Sequence, residues 1–423
     1  MTTRRKITAL AGVAVAALAF SGCAGGDGGG GDGPVELRVV SMTSQRAALE
    51  RMFELYREVN PDVTFALSTA EADQYNTAIR AQMGGNNAPD LMMVFPGSGN
   101  ATSVEPLAEA GLLVDQSDRD WVGDVPDSFA PLNQLDGKTY IRSYGYGTIG
   151  TVYNRDAFDE LGLEVPTTWS ELLSVCEEAK AAGKIPIALG LATGWNTQLV
   201  NYGLVASTVY GPEPGFTDEQ LAGDASFEDS AGWNEAFEKY MQLRDNGCFI
   251  DGAEGTTYDQ AKNAVASGDA LMITLVLDGV PSLRELDPEV NYGMFPLPGT
   301  DSAADVYAPI GVGPGLGVNA RSRHQEAALD FVDFVAQEGS LREWADALGI
   351  VPGIKDVPVE LAEGFEPMAE LLSSDHVAPY PDQRWPSPEV QSAHFAAVQN
   401  VYTDQATIAD ALRSMDAAFD AAR

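Results

Sequence analysis

The chain has 423 residues, more than one hydrophobic core usually accommodates, so two domains of ordinary size are expected. Hydrophobic residues make up 45% and charged residues 21%, which excludes a disordered polymer. The 62 acidic against 25 basic residues give a formal charge of -37, a field that repels nucleic acid and anionic lipid and favours solubility.

At the amino terminus Arg4, Arg5 and Lys6 precede an apolar run from Ile7 to Phe20, too short to span a bilayer and suited to a signal-peptide core. Phe20-Ser21-Gly22-Cys23 then resembles a lipobox, in which cleavage leaves Cys23 to carry lipid. The alternative is an ordinary secreted protein whose cleavage happens to leave a cysteine. Residues 1–22 are read as a lipoprotein signal peptide, and the Gly- and Asp-rich 23–34 as a flexible tether. Thr3-Arg4-Arg5 faintly resembles a twin-arginine signal, so the export route stays open.

From Val35 a strand to Val40, a loop at Ser41–Gln45, a helix over Ala47–Val59 and a strand at Val63–Phe65 form a βαβ unit. Ligands of such sheets sit at the loops after the strand C-termini, which makes Ser44 and Gln45 site candidates; Ser44 equally well caps the helix. A second helix over Tyr75–Met83 and a strand over Asp90–Phe95 repeat the pattern, and Phe95 can be the last buried residue of that strand. The stretch from Thr139 begins with β-favouring residues, Tyr144-Gly145-Tyr146-Gly147 reads as a loop, and Thr151–Asn154 as a second short strand. Asp156 can cap a helix that stops at Gly162; Thr168 caps the next, with Glu171 completing a capping box.

Beyond this helix a buried strand at Ile185–Leu189 leads into the loop Ala192–Asn196, where a second domain would offer Trp195 and Asn196 to a ligand. Trp195 and Trp385 lie in Gly- or Pro-rich loops, unlike Trp169, Trp233 and Trp344 on helical runs and Trp121 in an acidic connector. An indole there either stacks on a ligand, for which the C–H face of a sugar is suitable, or anchors its loop to its own domain. Cys176 and Cys248 are the cysteines left after Cys23, and in an oxidising compartment they form a disulfide or remain two buried thiols. Gly311–Gly317 fails as a dinucleotide or phosphate loop on spacing. His324, His376 and His394 are scattered, with no zinc spacing, and no carboxylate pair stands out as glycosidase machinery.

Several segments resemble the bacterial solute-binding proteins of ABC importers, specifically the carbohydrate-binding, maltose-binding-protein-like families. Ala88-Pro89-Asp90-Leu91 is similar to their G-x-x-P-D signature. The run Thr139–Glu171, with Tyr153-Asn154 before a helix and Pro166-Thr167-Thr168-Trp169 after it, is similar to their first interdomain passage. Tyr258–Met272 resembles a helix-then-strand segment, and Val290–Pro298 the return crossing. Pro379–Pro386 resembles the loop that opens the closing helices in oligosaccharide binders.

The resemblance implies an α/β, two-domain periplasmic-binding-protein-like fold of type II with an interdomain cleft. The first domain is expected over 35–145 and 293–340, the second over 146–292 and 341–423. It also implies ligand contacts from Phe95 and Ser98 in the loop Phe95–Asn100, from Tyr144 and Tyr146, and from Arg384 and Trp385. Asp278 stands where a sugar-stacking Trp is often found and becomes a hydroxyl acceptor instead. The implied function is capture of a sugar or oligosaccharide for a membrane permease by a monomer on the outer face of the cytoplasmic membrane, anchored through Cys23. No cofactor, metal or nucleic acid is implied. A non-sugar small solute is the alternative ligand, and an exported glycan-acting enzyme the alternative class.

Overall fold

The computed structural model describes residues 34–83 and 88–423, and the calls on the signal peptide, the tether and Cys23 lie outside the described residues. The strands, in chain order, are β1 Val35–Met42, β2 Val63–Ala70, β3 Leu91–Val94, β4 Gln134–Leu135, β5 Lys138–Thr139, β6 Gly145–Asn154 and β7 Ile185–Ala188. They continue with β8 Ala270–Val276, β9 Tyr292–Phe295, β10 Ala308–Val312, β11 Gly315–Val318, β12 Val351–Pro352 and β13 Val377–Pro379.

Two sheets organise the molecule. The first has the order β11-β3-β1-β2, with β1 parallel to both β2 and β3 and β11 antiparallel at the edge. All four residues of β3 are buried, the signature of a strand covered on both faces. The helix Arg46–Val59 puts Leu49, Met52, Phe53 and Tyr56 inward at helical spacing, where they meet Phe331 and Trp344 from the helices Gln325–Val335 and Glu338–Leu348. Phe53, Phe65 and Phe331 pack ring against ring in this core.

The second sheet has the order β13-β10-β6-β8-β7, and β9 and β12 also pair with β6. Its backbone is the long strand β6, antiparallel to β8, β9, β10 and β12, so the stretch around Tyr146–Asn154 holds the second domain together. The helix that follows β6 is capped by Asn154, whose Oδ1 accepts from the Ala157 amide at 3.0 Å. Asp156, expected as that cap, instead accepts from the amide and side chain of Asn291. The capping box of Thr168 and Glu171 is present. Cys176 and Cys248 are joined by a disulfide, Cα atoms 5.3 Å apart, inside the second domain's core.

These pairings move the expected domain boundaries. Tyr292–Phe295 pairs with Thr151–Asn154, and Ala308–Val312 also pairs within the second sheet, so 293–312 belongs to the second domain. The chain passes back to the first sheet only between Val312 and Gly315, and β11 pairs with β3. Residues 341–348 complete a helix packed on Arg46–Val59 and stay in the first domain.

Three segments therefore pass between the sheets side by side. The Tyr144 amide donates to Pro314 O at 3.2 Å, the Gly313 amide to Gly145 O at 2.8 Å, and the Gly353 amide to Tyr144 O at 2.9 Å. Arg142, only 2% exposed, ties two of them together by donating from Nη1 to Ser143 O (3.2 Å) and from Nη2 to Gly353 O (2.7 Å). Burial pushes its guanidinium down to about 10, against an opposing pull from the charge of Asp124.

Candidate functional site

Parallel strands open their C-terminal ends on one edge, and loops at that edge are where α/β sheets place ligand groups. In the first domain β1, β2 and β3 deliver the Thr43–Gln45 turn, Glu71 and the loop from Phe95 to Ser103. In the second, β7 and β8 are parallel and deliver the loop with Trp195 and the Leu277–Gly279 turn with Asp278. Burial raises the Tyr258 hydroxyl well above its ordinary value, and the charges of Asp278, Asp259 and, most weakly, Glu71 at the end of β2 raise it further.

The second domain's wall is built locally. Thr257 and Gln260 form a capping box that starts the helix Tyr258–Ala266, and Thr193 Oγ1 accepts from the Tyr258 amide at 3.0 Å, binding that helix start to the Trp195 loop. Trp195 and Tyr258 meet edge to face, ring centroids 4.7 Å apart. Trp195 is half-buried, packed against the second domain's core. Asp278 is also half-buried, and burial raises its carboxyl to about 6, partly offset by its own backbone N–H. Burial raises the Tyr380 hydroxyl well above its ordinary value, the charges of Asp278 and Asp382 raise it further, and its ring packs on the bare backbone of Gly311.

The other expected contacts divide into available and unavailable groups. Ser44 is exposed and the helix after it begins without a side-chain cap, whereas Gln45 is 1% exposed with its Oε1 unpartnered among the described residues. Phe95 is half-buried, packed near Tyr75 and Met93 at the end of β3, and Tyr146 is half-buried with its edge on Phe129. Arg384 is exposed but ion-paired with Asp218.

Four calls need correction. Tyr144, the residue before β6, is held at the crossing by backbone hydrogen bonds to Pro314 and Gly353 and stacks on Trp344 in the first domain's core, ring centroids 3.8 Å apart. Trp385 is fully buried among Tyr202, Phe227 and His394, an anchor of the second domain rather than a sugar platform. Asn196 is buried and its Oδ1 accepts from the Gly190 amide at 3.2 Å, which staples the loop. Ser98 is buried, with its hydroxyl donating to Trp385 O at 2.6 Å. Tyr258, Glu71 and Tyr380 went unnamed as site residues; the signal for Tyr258 was its place at a capped helix start directly after a loop.

Two surface depressions, of about 480 Å³ beside Arg244 and Thr407 and about 460 Å³ beside Asn154 and Lys184, share no residue with these loops. Among the described residues no His, Cys, Asp and Glu cluster could hold a metal ion, and no helix is long and apolar enough to cross a membrane. The arrangement offers an aromatic surface at Trp195 and Tyr258 beside the Asp278 carboxylate.

Residues 40–340 match the family model described as bacterial extracellular solute-binding protein. Over 343 residues the chain is 22% identical to the multiple sugar-binding protein of Streptococcus mutans, covering 81% of this chain and 80% of that protein. It is 21% identical to the melibiose/raffinose/stachyose-binding protein MelE of Bacillus subtilis over 76% of this chain and 74% of that one. The sn-glycerol-3-phosphate-binding protein UgpB of Rhizobium meliloti is 28% identical over 50% of this chain and 49% of its own length. Among solved structures, a chitin oligosaccharide binding protein superposes with a TM-score of 0.78 at 22% identity, over 93% of this chain and 99% of that one. SBP RafE in complex with raffinose superposes with a TM-score of 0.76 at 20% identity, over 92% and 99%.

Proposed function

The chain belongs to the bacterial extracellular solute-binding proteins, a type II two-domain fold, and we propose that it captures an oligosaccharide between its domains and delivers it to an ABC permease. The observation that carries the reading is the half-buried Trp195, braced edge-on by Tyr258 beside the Asp278 carboxylate. A sugar ring has apolar C–H faces rimmed by hydroxyls, so its site needs a flat aromatic surface next to directional acceptors. The relatives named for several sugars and for raffinose support the same class. Cations near these loops are engaged, Arg384 with Asp218 and Arg46 with Glu50, which favours an uncharged ligand over a phosphorylated one. In this reading the lipid on Cys23 keeps the protein at the outer face of the membrane, and closure of the two domains presents a loaded form to the permease.

A thermal-shift panel of raffinose, stachyose, melibiose, chitin oligosaccharides and sn-glycerol 3-phosphate tests the proposal. A ligand at about a hundred times its Kd raises stability by about 2.7 kcal/mol, enough to move the transition by several degrees. An oligosaccharide is expected to give that shift. A shift with glycerol phosphate alone would replace the sugar reading.

A further inference from the structure

The loop Phe95–Asn100 was expected to touch ligand, but its central residues touch the other domain. The Ser98 amide donates to Gln383 O at 3.3 Å and the Ser98 hydroxyl to Trp385 O at 2.6 Å. On either side of Ser98 stands a glycine whose missing side chain is what permits the approach. A Cβ on Gly97 would lie 2.9 Å from the carbonyl carbon of Gln383 and nearer still to its oxygen. A Cβ on Gly99 would lie 2.7 Å from the carbonyl carbon of Asp382, again nearer to the oxygen. Backbone therefore meets backbone, with no side chain between that could bend away.

Both halves of this contact are held rigidly by their own domains. In the first, the Gly97 amide donates to Leu132 O at 2.7 Å and its carbonyl accepts from the Glu105 amide at 3.1 Å. In the second, Trp385 is sunk in the core, and Asp382 Oδ2 accepts from Gln391 Nε2 at 2.7 Å. Gln383 pairs its side chain with Val312 like a strand neighbour, donating from Nε2 to the carbonyl at 2.7 Å and accepting the amide at 3.1 Å. Val312 is the last residue of β10, where the chain crosses between the domains. Two rigid pieces that meet beside the crossings cannot keep this register if the domains rotate apart.

We propose that Gly97-Ser98-Gly99 and the carbonyls of Asp382, Gln383 and Trp385 form a latch that stabilises the closed arrangement, so that Gly99 sets ligand affinity without touching ligand. The apparent Kd equals the intrinsic one divided by the closed fraction, so lowering that fraction to about a tenth weakens binding about tenfold. Gly99 is the informative position. Its φ lies outside the left-handed region, so alanine there meets only the opposing carbonyl, whereas Gly97, at φ +69°, would add backbone strain.

The experiment compares wild type, Gly99→Ala, Ser98→Ala and a control, Gly123→Ala, whose added methyl meets nothing within 4 Å. Small-angle scattering and hydrogen exchange at the Ser98 amide are measured with and without raffinose, and raffinose affinity by calorimetry. Gly99→Ala is expected to show a larger radius of gyration, faster Ser98 exchange and about tenfold weaker binding, with an unchanged melting profile. Ser98→Ala, which adds no atoms, is expected to change in the same direction by a smaller factor, and it decides the matter if Gly99→Ala does not fold. Gly123→Ala is expected to behave as wild type. Scattering and exchange identical to wild type in Gly99→Ala, or in Ser98→Ala if that is the variant in hand, would overturn the latch whether or not raffinose binds. Absence of raffinose binding by wild type counts against raffinose as the solute, and leaves the latch to be judged on the variant-minus-wild-type differences.

Discussion

Replacing Trp385 by alanine separates the packing of this protein from its recognition surface. The indole is completely buried and meets Tyr202, Phe227 and His394 edge-on, with ring centroids 5.7–6.2 Å away. Burying a side chain of this size removes about 150–250 Å² from water, and at about 25 cal/mol per Å² the transfer contribution is about 4–6 kcal/mol. Measured Trp- or Phe-to-alanine losses of about 3–5 kcal/mol agree, with part of the cost residing in the cavity left behind. Urea denaturation followed by circular dichroism should therefore show the second domain's transition at markedly lower denaturant in Trp385→Ala. Trp195→Ala should leave that transition nearly in place and weaken sugar binding by about 1–3 kcal/mol, as truncation of a contact aromatic does. A Trp385→Ala protein of wild-type stability that no longer binds sugar would refute the assignment and return Trp385 to the ligand.

Further outcomes follow from other features. Replacing Cys176 and Cys248 by alanine together opens a loop of 72 residues' separation and should lower stability by about 4 kcal/mol on the chain-entropy estimate; stoichiometric labelling of both thiols in the unreduced wild type would contradict the bridge. His394 is buried with Nε2 on Asn201 Oδ1 at 2.8 Å, and burial lowers its imidazole to about 3. Its ordinary value is about 6.5, so the unfolded chain takes up a proton first as pH falls, and the stability it contributes is full above about 6.5 and lost toward about 3. Asp278 and Asp382, both raised to about 6 by burial, act oppositely by taking protons first in the folded state, so their contribution grows as pH falls through 6. His394→Gln should consequently lose less stability than wild type between pH 6.5 and 4; equal losses would show that His394 is not the titrating group. Cys23→Ser should release the protein from membranes, and unchanged membrane fractionation would remove the anchor.

Local chemistry made much of this architecture readable in advance. Alternating strand and helix patterns over Val35–Val94 became β1, β2, β3 and the helices between them, because apolar spacing and a parallel sheet leave few arrangements. The Thr168 capping box was legible for the same reason: four residues determine it. Trp195 and Trp385 were indistinguishable in sequence, each in a Gly- or Pro-rich loop, and the second is buried largely by contacts from Tyr202 and Phe227, more than a hundred residues upstream. Tyr292–Phe295 reads as the same apolar strand whichever sheet receives it, and its pairing with Thr151–Asn154 is a long-range choice. The strand ends at Asn154 as expected, but the helix starts at once at Arg155, so Asn154 is the cap and Asp156 already lies in the first turn. Ser98 kept its loop position but not its expected role, since Gly97 and Gly99 bring the opposing backbone to it.

The central claim is capture of an intact oligosaccharide by the wall of Trp195, Tyr258 and Asp278, and titration calorimetry of the purified protein with raffinose and stachyose, with the sugar recovered afterwards, tests it most directly. The account predicts saturable binding of one sugar per chain, unchanged sugar on recovery, and loss of most of the affinity in Trp195→Ala and Asp278→Ala with folding retained. Absence of heat with every oligosaccharide, recovery of cleaved sugar, or wild-type affinity in both variants would contradict it.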